Sequence, residues 1–229
     1  MILREGNNIF IGGHVTPDAL FRTAWTGNSI IPLTRNTRRA LTVSSSSAND
    51  NDKGTGARSI RITGLTDEFV ETSGTVDLKG QTGVSISDNF IAIQSIEITD
   101  AGSTGYNEGD IYVGEGTITA GVPATAYEKI AIRDGISHTI RYTVPKGKTL
   151  YINKINVSRP TDKYIIVEAL KHVRDFHIVM DQRAYHQGST QIEYPVPLVI
   201  NEREVFTVEV QKVAASAEET YIEVYGEEK

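Results

Sequence analysis

The sequence predicts an all-β protein: an antiparallel β-sandwich of jelly-roll type at the C-terminal end (124–229), a small acidic β domain before it (57–123), and an extended N-terminal arm with a polar loop (1–56). Three observations predict this. From residue 57 onward, short apolar runs alternate with polar residues at period two. Clusters of Gly, Pro, Asn and Asp interrupt those runs at roughly ten-residue spacing, the rhythm of sandwiches and barrels. No regular alternation of strand-period with helix-period segments occurs, which removes doubly wound folds and parallel (β/α) barrels.

Residues 1 to 56 lack sustained periodicity. One short helix is expected there, with Thr16 as N-cap, Pro17 at the first helical position and Asp18 in the first turn. It would place Leu20, Phe21, Ala24 and Trp25 on one face. The loop SSSSANDNDKGTG that follows reads as too polar and glycine-rich to bury itself, and marks a domain boundary. In the middle segment, Ile60 and Ile62 alternate with Arg61 and Thr63, and Val76 and Leu78 resume the pattern. In "FIAIQSIEIT", Ile91 and Ile93 are out of phase with Ile96 and Ile98, so a bulge is expected near Gln94-Ser95. "AGVPA" reads as a linker. Pro145-Lys146-Gly147-Lys148 reads as the turn of a hairpin, and "YIIVEALKHVRDFHIVM" as two strands turning at 171–175. "EVFTVEVQKVA" and "TYIEVYGE" read as a final antiparallel pair.

The chain has 229 residues, enough to bury a sizeable core. It has no cysteine, which removes disulfides, zinc-thiolate sites and thiol nucleophiles together. No apolar run reaches the roughly 18 residues that span a bilayer, and the start MILREGNN lacks the apolar core of a signal peptide; no membrane partner is expected. The net charge of −6 is concentrated in residues 58–123, which carry three basic and ten acidic residues. That segment repels phosphates, and no nucleic-acid partner is expected. The basic cluster Arg35, Arg38 and Arg39 sits in the net-positive first segment.

Motifs for chemistry are sparse. Histidines 14, 138, 172, 177 and 186 form no HExxH or His-x-His pattern, and His172 and His177 would share a metal only across a turn. Asp50-Asn51-Asp52-Lys53-Gly54 resembles the start of a calcium loop, but Arg61 stands where an EF-hand carries its twelfth-position glutamate. "GTGARS" lacks the lysine of a phosphate cradle. Asp67, Glu68, Glu71, Glu97, Asp100, Glu108 and Asp110 supply carboxylates, with few aromatic side chains nearby to hold a sugar for cleavage. The expectation is no catalytic residue, no cofactor and no metal.

The stretch "SANDNDKGTGARSIRITGLTDEFVETSGTVDLKGQTGVSI" resembles a segment of structural proteins of tailed bacteriophages, especially marine and cyanobacterial ones. "IEITDAGSTGYNEGDIYV" and "HTIRYTVPKGKTLYINKINVS" continue the resemblance over roughly residues 43–157. It implies a virion protein assembled in the host cytoplasm: a capsid decoration, cement or fibre protein, or alternatively a tail protein that recognises a host surface glycan. Self-association as a homotrimer and docking on the major capsid protein or other virion proteins follow from the same resemblance. Leu20, Phe21, Trp25, Arg35, Arg38 and Arg39 are the expected partner-binding residues, because apolar-aromatic and arginine anchors dominate interface energies.

Overall fold

A computed structural model describes residues 1–15, 22–23, 40–86, 90–159, 164–173, 176–185, 188–212 and 219–229. Among them every regular element is a strand. In chain order these are β1 (Ile2–Glu5), β2 (Asn8–Val15), β3 (Arg22–Thr23), β4 (Thr42–Ser45), β5 (Ala57–Leu65), β6 (Glu71–Asp77), β7 (Val84–Ser85), β8 (Ala92–Ala101), β9 (Ile111–Thr119) and β10 (Val122–Ile130). They are followed by β11 (Arg141–Thr143), β12 (Leu150–Arg159), β13 (Ile165–Val173), β14 (Phe176–Tyr185), β15 (Gly188–Ile200), β16 (Val205–Lys212) and β17 (Thr220–Glu228). The chain divides into two compact units, one of Met1–Ile31 with His138–Lys229 and one of Pro32–Ser137.

The first unit is a sandwich. One sheet has the order β1-β2-β17-β12-β15, and the other β11-β16-β13-β14, with β3 also on β16. Take β2 as the first strand, β3 together with β11 as the second, and β12 to β17 as the third to eighth. The sheets then run 1-8-3-6 and 2-7-4-5, the order of a jelly roll. Alternating side chains from both sheets meet in one buried cluster, including Ile9, Ile11, Tyr142, Ile152, Val167, Phe206, Val208 and Val224. The second unit pairs β10-β9-β4-β7 in one sheet and β6-β5-β8 in another, and both feed a second core through Val43, Ile60, Ile62, Ile96, Ile111, Val113 and Tyr127.

The second strand of the jelly roll comes in two pieces. β3 and β11 lie on the same edge of β16 and run in the same direction. Thr23 stands opposite Glu209 and Arg141 opposite Thr207, so only Val208 separates them along the partner strand. One extended residue, about 3.4 Å, fills that gap. The unit Pro32–Ser137 is therefore inserted within a single strand, and Ile140, the residue before Arg141, belongs to the sandwich core.

Several expectations need correction against this architecture. Residues 2–15 are no arm: β2 pairs with β17 from Asn8 to Val15 and buries Ile9, Ile11 and Val15. Arg22–Thr23 are extended where a helix was expected, because β16 offers them a free edge. The polar loop after residue 43 lies inside the second unit rather than at its border. "AGVPA" is not a linker; Ala120 and Gly121 (φ 48° and 81°) make the tight turn of the β9–β10 hairpin. The turn at Pro145 forms, with Lys148 N–H donating to the Pro145 carbonyl at 3.2 Å, but it carries the chain from one sheet to the other rather than closing a hairpin. β16 and β17 likewise sit in opposite sheets. The bulge is where it was expected: Thr63 opposes Ser95 and Gly64 opposes Ile93, leaving Gln94 as the extra residue. β13 and β14 are the expected antiparallel pair.

Candidate docking surfaces

The six residues expected to bind partners, Leu20, Phe21, Trp25, Arg35, Arg38 and Arg39, lie outside the described residues. The remaining polar groups singled out in the sequence can be placed. Asp50 is fully buried, and its two carboxylate oxygens accept from Ser45 Oγ (2.6 Å) and from the N–H groups of Ala57 (2.8 Å), Glu108 (2.9 Å) and Gly109 (2.9 Å). Its lone pairs are turned to protein donors, so it pins the 45–57 loop to the 107–110 loop instead of facing a calcium ion. Asp110 accepts from Lys129 Nζ (2.9 Å), Tyr112 Oη (3.1 Å) and the Ile132 N–H (3.0 Å). Burial first, and then the Asp110 charge, push the Tyr112 phenol up to about 12. Glu97 pairs with Arg61 at 2.6 Å, beside Glu71, on the exposed side of β6-β5-β8. Glu108 accepts from Asn49 and Thr55, which lowers its carboxyl. The carboxylates that sequence reading grouped by proximity in the chain are thus spread over separate loop and strand contacts.

The histidines fall into pairs. His172 and His177 face each other across the β13–β14 ladder with ring centroids 5.9 Å apart, and His172 Nε2 lies 2.8 Å from Thr207 Oγ1. His14 meets His138 edge-on at 5.7 Å, stacks on Tyr221 and contacts the Glu219 carboxylate. Among the described residues no three His, Cys, Asp or Glu side chains converge as a metal-binding group. His186 lies outside them.

A shaped surface exists on the outer side of the sheet that contains β2, β17, β12 and β15. Its ladder lines up Phe10, Tyr225, Lys154 and Glu193 in one row, and Gly12, Glu223, Asn156 and Gln191 in the next. A bulge in β12 leaves Asn153 without a ladder partner on either side. Asn153 therefore borders two adjoining hollows. The first, about 640 Å³, is lined by Leu3, Arg4, Phe10 and Tyr225, among others; the second is lined by Lys154, Glu193, Tyr194, Pro195 and Tyr225. Tyr225 sits at the junction, edge-on to Phe10 at 5.1 Å, with Lys154 Nζ 4.1 Å from its ring centre and its hydroxyl donating to Glu223 at 2.9 Å. Partial desolvation, then that hydrogen bond, raise its phenol. Sequence reading missed this surface because it is assembled from strands far apart in the chain: β1, β2, β12, β15 and β17. The available signal was the alternation of Ile9, Ile11, Gly13 and Val15 with Phe10, Gly12 and His14, which the glycine pair obscures.

No protein-family description matches the chain, and no curated protein matches it. Among solved structures, one titled as the infectious bursal disease virus Gt strain aligns at 12% identity over 95% of this chain and 56% of that one, with a TM-score of 0.20. At that score the likeness carries no argument, and this chain spans little more than half of that one's length.

Proposed function

We propose that the protein is a non-enzymatic structural subunit of a virus particle, of the capsid-associated kind implied by the resemblance to tailed-phage structural proteins. The observation that carries this reading is the architecture: a jelly roll bearing a second β unit inserted in one of its strands. Jelly rolls serve viral capsids, lectins and cupins. Here the interior is filled by Ile, Val, Leu, Phe and Tyr side chains, and the buried carboxylate Asp50 is committed to holding loops. That pattern favours a displayed or docked surface over an internal reaction site. Immunogold labelling of particles, together with pull-down by capsids that lack tails, tests the reading; a protein found neither on heads nor on tails is not a virion subunit.

A second reading, recognition of a host surface glycan, is favoured by the hollows around Asn153. Phe10, Tyr225 and Tyr194 offer ring faces and edges, while Asn153, Lys154 and Glu193 offer hydrogen-bonding groups beside them, the combination that sugars use. Binding to host cells or to a glycan array, lost in Tyr225→Ala and accompanied by no binding to tail-less capsids, would favour this reading over the first.

A further inference from the structure

We infer that the first hollow beside Asn153, on the outer face of β1, β2 and β17, binds an uncharged saccharide. This rests on the glycan-recognition reading above and names its ligand class. The ladder sets two contrasting rows side by side there. Leu3, Phe10 and Tyr225 stand opposite one another on the three strands, and two residues away along the same strands stand Glu5, Asn8 and Glu227. Side chains two apart on a strand share a face, so the rows lie about 7 Å from each other. One row is apolar, with Leu3 51% exposed, and the other carries an amide between two carboxylates. Asn153, put out of register by the β12 bulge, borders the side away from β1.

A sugar ring has the same division. Its C–H bonds form an apolar patch that packs on aliphatic and aromatic side chains, and its rim of hydroxyls both donates and accepts. Asn8 and Asn153 suit that rim, because each amide supplies two N–H donors and a carbonyl acceptor. Neither side chain makes a hydrogen bond among the described residues. Glu5 and Glu227 add acceptors, and a hydroxyl donating to a carboxylate makes one of the stronger hydrogen bonds. Because Lys154 lies over the Tyr225 ring, Leu3 and Phe10 are the contacts for the C–H patch. The volume of about 640 Å³ falls within the ~300–1,000 Å³ of small-molecule sites.

Charge decides the class of sugar. Among the described residues, Arg4 is the one cation that lines this hollow, and it is engaged with the Tyr142 hydroxyl and lies 3.9 Å from Glu228. Glu227 is paired with Lys229 at 2.8 Å, and Glu5 makes no ion pair among the described residues. An acidic sugar would bring its carboxylate up to Glu5 with no uncommitted cation to receive it, and like charges side by side oppose binding. A basic ligand would gain only Glu5, whose charge is exposed and screened by salt. A neutral polyol uses both rows and meets neither obstacle.

The test applies the full chain to an array of uncharged hexose and N-acetylhexosamine oligosaccharides, their sialylated and uronic-acid counterparts, and basic peptides. Binding to uncharged members is expected, with an affinity that changes less than about twofold between roughly 50 and 500 mM NaCl, because no charge pair forms. Asn153→Leu and Leu3→Asp should each weaken it about tenfold, as for one or two lost contacts, with an unchanged circular dichroism spectrum. Val70→Asp, equally exposed but in the inserted unit, should bind as the unmodified protein does. A preference for acidic sugars or basic peptides, an affinity that falls with salt, or undiminished binding by both variants of the hollow would overturn the inference. Binding to acidic glycans alone would leave glycan recognition standing while removing this ligand class, and binding to no glycan would remove both.

Discussion

Asp50 shows how a sequence rich in Ser, Asn and Asp can be buried. Its carboxylate satisfies four donors at once, and each buried donor left without an acceptor costs about 1–3 kcal/mol. Asp50→Ala should therefore lower the stability of the inserted unit by at least about 3 kcal/mol. Asp50→Asn, which keeps the shape but turns an NH₂ toward N–H groups, should fall between. Thermal unfolding checks both, and millimolar calcium should leave the unmodified protein's midpoint unchanged, because the oxygens that would bind it are already occupied. Glu209 offers a pH test at the same scale. Burial first, then the charge of Glu168 opposite it, raise its carboxyl, with His177 opposing them. In the folded state the proton is held more tightly, so stability is intact below the ordinary glutamate range and is lost as pH rises through the raised value. Glu209→Gln should thus be stabilising at pH 8 and neutral near pH 4; equal effects at both would contradict this assignment.

At the level of elements, the bulge at Gln94 was legible because four isoleucines in two phases cannot share one face of an ideal strand. Its partner was not legible. Gly64 lies beside the bulge, where a Cβ would come within 2.3 Å of the Ala92 carbonyl oxygen and 2.6 Å of the Phe90 ring. Backbone cannot yield as a flexible side chain can, so Gly64→Ala should cost about 1–3 kcal/mol, read as a lower urea midpoint at unchanged slope. Strand identity was read well from period-two alternation in β5, β12 and β13. Pairing was read poorly, since alternation says which face a residue takes and nothing about which strand lies alongside. The turn at Pro145 therefore reads as a hairpin, and β16 and β17, adjacent in sequence, read as a pair, although in each case the strands lie in two different sheets. For the candidate surfaces, the alternation around Asn153 gives no hint that β12 bulges there, and the run Phe176–Val179 reads as a strand without revealing that it is an exposed edge.

Over the whole molecule, the interrupted second strand makes a quantitative demand. Because a single β16 position separates Thr23 from Arg141, and Ile140 belongs to the sandwich core, joining Thr23 to Ile140 directly, or through a short Gly-Ser bridge, should leave a folded jelly roll. The retained chain should give the circular dichroism of an antiparallel sandwich and a single cooperative transition; an unfolded product would mean that the insert supports the sandwich rather than merely interrupting it. The sequence offered no warning of this arrangement, as the two halves of the strand contribute two and three residues and neither forms a recognisable alternating run.

The pairing of β2 with β17 also sets a schedule. The jelly roll's first strand has its neighbour at the far end of the chain, with Val15 opposite Thr220, so its contacts span nearly the full sequence. Among the described residues, the pairings of the inserted unit all lie between residues 42 and 136. Closing a loop is entropically costlier the longer it is, and contacts distant in sequence form late. A chain emerging from the ribosome can therefore complete the insert while β2 still waits for its partner, and the sandwich zips up only after β17 has emerged. Pulsed hydrogen exchange during refolding should protect β5 and β8 before β2 and β17. A chain stopped at residue 212 should keep the first pair protected and never acquire protection in β2.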